Sequence, residues 1–236
     1  MAIGWPRILG WLALCLLMVG PALAADRASR AADRVRPLLL PLLAQAQAEW
    51  GAPVFIRAFK LESEMELWVQ GQGGWMLFKR YPICAWSGDL GPKLAQGDRQ
   101  TPEGIYRVGA GQLNPASSYH LSFNLGYPNA FDRFHGRTGD YLMVHGSCVS
   151  IGCYAMTHVG IEEIYTLVAA ALSAGQRRVD VHLFPFRLEA AQLAAQHDHR
   201  WFEFWNELQP IYAAFERDHQ PPSVAIVDGH YRMSNP

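Results

Sequence analysis

The chain has 236 residues, of which 50% are hydrophobic and 17% are charged. A disordered tail protein would be richer in charge and poorer in apolar residues, and a collagen-like chain would repeat glycine at a fixed period, so both classes are excluded. The 20 basic and 21 acidic residues give a formal charge of -1, without the basic surplus that is typical of nucleic-acid-binding proteins. Four cysteines are too few for a small disulfide scaffold. The length suits one compact domain with its own core.

Residues 1–24 have the pattern of a secretory signal peptide. Arg7 supplies the positive charge, residues 8–19 are apolar, and Ala22-Leu23-Ala24 offers the small-x-small cleavage pattern. The apolar run is shorter than the roughly 20 residues that a membrane-spanning helix needs. We therefore predict cleavage after Ala24 and no transmembrane segment in the mature chain, with an uncleaved N-terminal anchor as the alternative. In a bacterium, the exported protein would reside in the oxidising periplasm.

Periodicity and turn residues predict the elements that follow. In chain order they are a helix from about residue 38 to 50, strands over 54–59, 65–70, 75–81, 105–109 and 141–145, a helix over 161–174, a strand over 179–186, helices over 188–196 and 201–217, and a strand pair over 224–227 and 231–233. The first three strands form an antiparallel meander. The pattern predicts a mainly β domain with helices, an α+β fold. It consists of an N-terminal helical segment over 25–50, a β-rich unit over 51–186 and a helical extension over 187–236.

The residues with the greatest chemical reactivity lie together in the segment 145–156. His145 ends an apolar strand, and Cys153 follows eight residues later behind Gly152. A thiol attacks carbonyl carbon efficiently only as the thiolate, and an imidazole titrates near neutral pH, so His145 is a suitable base for Cys153. A glycine permits a tight backbone approach, which predicts that the amides of Gly152 and Cys153 hold a developing oxyanion.

Two other uses of these residues are less consistent with their spacing. A metal site would draw on His145, Cys148 and Cys153 with His120 or His135, but the C-x4-C spacing is not that of a zinc knuckle. A redox pair of Cys148 and Cys153 would normally have the spacing C-x-x-C. We therefore predict no metal and no redox disulfide at this segment.

The cysteine count points to one working thiol. After cleavage the chain retains Cys84, Cys148 and Cys153, an odd number, so at least one thiol is unpaired in the monomer. An unpaired thiol in an oxidising compartment is a liability unless it is used, and we assign that role to Cys153. Whether Cys84 and Cys148 form a disulfide or remain two buried thiols stays open.

Four blocks of sequence carry a resemblance to a known family. They are MVHGSCVSIGCYAM at 143–156, PKLAQGDRQTPEGIYRVG at 92–109, IRAFKLESEMELWV at 56–69 and YHLSFNLGYPNAFD at 119–132. Together they resemble the L,D-transpeptidases with a YkuD-type catalytic domain, and within them the YafK-like murein subgroup. The resemblance covers roughly residues 50–185 and continues more loosely into the aromatic C-terminal part.

The resemblance implies a fold, a substrate and a set of site residues. The fold would be an L,D-transpeptidase-like β-sandwich or barrel over 51–186 with a packed helix. The substrates would be peptidoglycan stem peptides, with a wall-linked lipoprotein as a further partner, and no cofactor is implied. The chemistry would use Cys153 as nucleophile, His145 as base and the backbone of Gly152 and Cys153 as oxyanion hole. Substrate contacts would come from His120, Tyr119, Ser150 and Tyr127.

The chain also departs from the family pattern. Ile151 stands where most members have His, and Ala155 stands where they commonly have Arg. The change at Ala155 removes a charge that would hold a substrate carboxylate. It leaves open a hydrolase on the same site, either an L,D-carboxypeptidase or an amidase that releases a wall-linked lipoprotein, and a catalytically silent wall-binding module. The histidines and aromatic residues over 197–205 have the spacing of a packing face, with glycan binding as the alternative.

Overall fold

The computed structural model describes residues 19–233, with side chains from residue 26 onward. Its α-helices are α1 (Val19–Gln45), α2 (Ala130–Phe134), α3 (Thr157–Ser173), α4 (Ala190–Ala194) and α5 (Phe202–Asp218). Its strands are β1 (Val54–Phe59), β2 (Glu64–Gly71), β3 (Gly74–Pro82), β4 (Gly104–Val108), β5 (Leu113–Asn114), β6 (Ser122–Asn124), β7 (Met143–His145), β8 (Tyr154–Ala155), β9 (Val179–Phe184), β10 (Val224–Val227) and β11 (His230–Met233). The predicted α+β class is confirmed.

The strands form two main sheets and a hairpin. The larger sheet has the order β3-β2-β1-β9-β4, in which β1 runs antiparallel to β2 and parallel to β9. The smaller sheet has the order β5-β6-β7-β8, and β10 pairs with β11. The predicted meander over 54–81 is confirmed. Every residue of β1 is buried, so its apolar run reflects a central strand covered on both faces.

Helix α1 differs most from its prediction. We expected a helix over 38–50, but the helix begins far upstream and ends at Gln45, with Pro37 and Pro41 inside it. Buried side chains recur at every fourth position, at Ala31, Val35, Leu39 and Leu43. This stripe lies against α3, and its burial offsets the hydrogen bonds that the two prolines cannot make.

The C-terminal extension is part of the core. The side chains of Phe204 and Trp205 on α5 are buried in a cluster with Phe59 and Phe184. The Trp205 indole also donates to Glu103 at 2.8 Å. The prediction of a packing face at 201–205 is therefore confirmed for these two aromatic residues.

Most of the predicted signal peptide lies outside the described residues, and no side chain of residues 1–24 is described. Within residues 19–233, no helix is long and apolar enough to cross a membrane.

Candidate active site

Cys153 lies directly before β8, where the chain enters the smaller sheet. Its side chain is half-buried, and its thiol is the free one among the cysteines of the described residues. The Met143 amide donates to Sγ at 3.4 Å, and Sγ lies 3.7 Å from the Tyr141 carbonyl. Because β7 and β8 are parallel neighbours, the thiol faces the start of β7. It is reachable from solvent and is oriented by the backbone.

His145 ends β7, as the sequence predicts, and its side chain is buried. Its Nδ1–H donates to the Gly146 carbonyl at 2.5 Å, so the neutral ring carries its free lone pair on Nε2. His145 pairs across the strands with Ser122 and with Ala155, two residues after the thiol. The imidazole is not a hydrogen-bond partner of Sγ within the described part of the chain. The strand pairing places the two residues on adjacent chains, with the thiol level with Met143 at the start of β7 and His145 at its end.

The turn between the two residues depends on glycines and on a disulfide. A Cβ on Gly146 would lie 2.5 Å from the Tyr119 carbonyl, and Gly152 has φ of +139°. Both positions therefore exclude larger residues. Cys148, within the turn, is joined to Cys84, whose amide donates to the Ala155 carbonyl at 2.7 Å. The disulfide thus links the turn to the chain beside β8 and leaves Cys153 unpaired. The redox pair of Cys148 and Cys153 is absent from this structure.

Burial determines the protonation states of the His145 imidazole and the Cys153 thiol before substrate binds. Burial lowers the pKa of His145, and the hydrogen bond to Gly146 opposes that shift only in part. Burial raises the pKa of the Cys153 thiol, against the opposing effects of the Met143 amide and the Lys93 charge. The pair therefore rests at neutral pH as thiol and neutral imidazole, which suits proton transfer during attack rather than a preformed ion pair.

This protonation state predicts the acid limb of the pH–rate profile. A base must be unprotonated to act, so activity is present above the pKa of His145 and is lost as the pH falls through it. Because that pKa is lowered, kcat/KM should stay level down to about pH 6.5, the ordinary value for histidine, and decline only below it. A profile of kcat/KM on a stem-peptide substrate checks this. An acid limb centred above that value would contradict the assigned environment of His145.

The loop over residues 87–103 forms one wall of the site and is held by a buried ion pair. Lys60 donates to Glu103 at 2.9 Å and to the carbonyls of Asp89, Gly91 and Thr101 at 2.9 to 3.0 Å. Sequence reasoning did not identify Lys60 or Glu103, because their partners are distant in the chain. The only available signal was a lysine at the end of an apolar strand. Thr101 in turn donates to the Cys153 carbonyl at 3.3 Å.

Two of the predicted substrate residues lie on one segment. The Tyr119 ring lies 4.7 Å from the His145 ring, and Tyr119 is 46% exposed, so it covers the base and faces solvent. His120 is directed elsewhere: its Nε2 lies 2.6 Å from Glu162 on α3. The Arg27 guanidinium donates to the His120 carbonyl at 2.8 Å and fixes this segment to α1. Tyr119 remains a candidate for substrate contact, whereas His120 has a structural partner.

Three other predictions change. Ser150 donates to the Cys153 carbonyl at 2.8 Å and accepts from the Gly152 amide at 3.1 Å, so its hydroxyl stabilises the turn. The Gly152 amide is therefore already engaged by the Ser150 hydroxyl. Of the two predicted oxyanion donors, this leaves the Cys153 amide. Tyr127 is buried, with its hydroxyl donating to Lys93 and Thr138 carbonyls, so the prediction of a substrate contact there is wrong.

Comparison with known proteins decides the family. The model of the YkuD family, described as the L,D-transpeptidase catalytic domain, matches residues 57–181. The chain belongs to the L,D-transpeptidase family with a YkuD-type catalytic domain. A protein of Escherichia coli (strain K12) named “Putative L,D-transpeptidase YafK” is 47% identical over 186 residues, which cover 79% of this chain and 76% of that protein. The protein of the same name from Escherichia coli O157:H7 gives the same values.

Solved structures give more distant matches. The helical cell shape determining protein Pgp2 of Campylobacter jejuni has a TM-score of 0.44 at 17% identity, over 79% of each chain. Bd1075 of Bdellovibrio bacteriovorus has a TM-score of 0.38 at 20% identity, over 70% of this chain and 62% of that one. The family membership itself makes the chain a peptidoglycan-related enzyme of the L,D-transpeptidase type.

The structure locates the departures from the usual L,D-transpeptidase pattern. Ala155, in place of the common arginine, is fully buried between β7 and the segment at residue 85. Ile151, in place of the common histidine, is 78% exposed on the turn. The substitution at 155 thus removes a charge from beneath the site, and the substitution at 151 places an apolar side chain on its rim.

Proposed function

We propose that the protein is an exported, cysteine-dependent L,D-transpeptidase that acts on peptidoglycan stem peptides through a thioester at Cys153. The observation that carries this proposal is a free, partly accessible thiol directly before β8, with a neutral histidine on the adjacent strand β7 whose Nδ1–H is bonded to its own chain. Family membership supplies the substrate class. The predicted signal peptide supplies the periplasmic location.

The first half of the reaction forms the acyl-enzyme. Sγ of Cys153 attacks the carbonyl carbon of the L-centre of diaminopimelate in a stem tetrapeptide, while Nε2 of His145 takes the thiol proton. The Cys153 amide stabilises the developing oxyanion. As the intermediate collapses, the carbon–nitrogen bond to D-alanine breaks, and His145 returns the proton to the departing amine.

The second half consumes the thioester. In transpeptidation an amine of another stem peptide attacks the thioester carbonyl, His145 accepts its proton, and the thiol is regenerated. With water as the nucleophile, the same steps make a carboxypeptidase or an amidase that frees a wall-linked lipoprotein. The buried Ala155 supports this hydrolytic alternative, because no arginine is present at that position to hold a substrate carboxylate.

Incubation with purified sacculi, followed by mass spectrometry of the soluble and digested products, separates the candidates. We expect cross-linked muropeptide dimers for a transpeptidase, tripeptides without dimers for a carboxypeptidase, and free lipoprotein for the amidase. Sacculi incubated without protein provide the background. If none of these masses appears and the sacculi are merely bound, the protein is a wall-binding module and the proposal is wrong. Stoichiometric labelling by a carbapenem would exclude that module.

A further inference from the structure

Lys93 is a buried cation in the wall of the active site. It is 4% exposed, and its Nζ donates to Asp98 and, at 2.8 Å, to the Ala95 carbonyl. The Tyr127 ring centre lies 5.9 Å from Nζ. Burying a lysine is unfavourable unless its charge is paired, so the loop is built to keep an ammonium group at this point.

The Lys93 side chain lies against the segment that contacts the thiol. A Cβ on Gly139 would be 3.0 Å from the Lys93 Cε, so the lysine stem passes directly along this backbone. Two residues later, the Tyr141 carbonyl lies 3.7 Å from Sγ of Cys153.

The partner of Lys93, Asp98, is connected to the residue before the nucleophile through Gln100. Asp98 accepts from the Gln100 amide at 3.0 Å. The Gln100 carbonyl would lie 3.6 Å from a Cβ on Gly152, the residue before the nucleophile. The Lys93–Asp98 pair therefore lies against residue 139, two positions before Tyr141, and is connected through Gln100 to the backbone at Gly152.

A nearby cation stabilises a thiolate. In the resting site His145 is neutral, the arginine common at position 155 is replaced by a buried alanine, and Cys153 is half-buried. We propose that Lys93 is a positioning residue whose positive charge stabilises the thiolate of Cys153, with Asp98 holding the ammonium in place. The sign agrees with the effect of Lys93 on the pKa of Cys153, which it lowers against the effect of burial.

The effect of Lys93 on muropeptide turnover rests on the proposed function. Its effect on the reactivity of the Cys153 thiol can be tested without any substrate. The measurement is the rate of alkylation of Cys153 by iodoacetamide between pH 6 and 10.5, read by mass spectrometry of the Cys153 peptide. The Lys93→Met variant keeps the length of the stem and removes the charge. We expect it to raise the midpoint of the profile by about one pH unit and to slow alkylation at pH 7.5 by about tenfold.

The Asp98→Asn variant makes the test specific for charge. It removes the negative partner while an amide oxygen can still accept from the loop, so we expect the midpoint to fall, opposite to Lys93→Met. Lys93→Arg, which restores a cation, should recover most of the wild-type rate. Lys79→Met, which breaks the more exposed pair of Lys79 with Glu163, is the matched control and should leave the profile unchanged.

Two results would overturn the inference. One is an unchanged midpoint in Lys93→Met. The other is a shift in the same direction in Lys93→Met and Asp98→Asn, which would show that the pair acts only by shaping the loop. If Lys93→Met does not fold, the Asp98→Asn profile decides: a midpoint below the wild-type value supports the charge effect, and an unchanged or higher midpoint overturns the inference. If the variants shift the profile as expected but the wild-type protein turns over no muropeptide, the proposed function fails and the inference about Lys93 stands.

Discussion

Replacing Cys153 with alanine is expected to abolish turnover of tetrapeptide muropeptides, and replacing His145 with alanine to lower kcat/KM by about 10³-fold. The two losses differ in kind. Without Sγ no thioester forms, whereas without the imidazole the thiol still attacks from the small fraction that is ionised. The His145→Ala variant should therefore regain activity as the pH rises toward the pKa of the thiol, and Cys153→Ala should not.

The control for this pair is His197→Ala, which removes an exposed imidazole from the C-terminal extension. It should leave turnover unchanged, since the contacts of His197 are with Ala194 and Asp198, which lie away from the site. Steady-state kinetics on purified muropeptides, with circular dichroism to verify folding, make the comparison. Activity in Cys153→Ala would refute the nucleophile assignment, and wild-type kcat/KM in His145→Ala would refute the base.

Removing the Cys84–Cys148 disulfide is expected to cost both stability and activity. The bond closes a loop with a sequence separation of 64, for which chain entropy predicts about 4 kcal/mol of stabilisation. Cys148 also lies in the turn between His145 and Cys153, so its release would let the nucleophile move. A displacement of about 1 Å at an active site lowers turnover by about 10²-fold.

Urea unfolding of Cys84→Ser, Cys148→Ser and the double variant measures the first effect, and muropeptide kinetics measure the second. Cys153→Ser is the matched control, because it removes a thiol and keeps the disulfide. We expect the three disulfide variants to be equally destabilised and Cys153→Ser to stay near wild type. A double variant as stable as the wild-type protein would contradict the role of the bond in holding the turn.

Local patterning was sufficient to predict much of the framework. The strands β1 to β3, helix α3 and the C-terminal hairpin follow from alternation, helical periodicity and turn residues, which act within a few positions of one another. A strand end followed by a short turn predicted that His145 and Cys153 lie on neighbouring chain segments, and the structure places them at the end of β7 and directly before β8, its parallel neighbour. The odd number of cysteines correctly predicted that a free thiol would remain.

Other features depend on contacts that no local pattern encodes. The start of α1 is determined by packing against α3, which outweighs its two prolines. The pairing of Cys84 with Cys148, the Lys60–Glu103 pair and the burial of Lys93 each join residues from separate segments of the chain. The use of the Gly152 amide by Ser150 arises from the exact turn conformation, which the sequence Ser-Ile-Gly-Cys does not specify.

The most direct test of the central assignment is to trap the acyl-enzyme. The protein is incubated with a purified tetrapeptide muropeptide, quenched in acid within the first turnover, and analysed by intact mass and peptide mapping. The account predicts an added mass equal to the muropeptide minus D-alanine, on the peptide that contains Cys153. It also predicts no adduct in Cys153→Ala. An adduct on another residue, or product formation by Cys153→Ala, would contradict it.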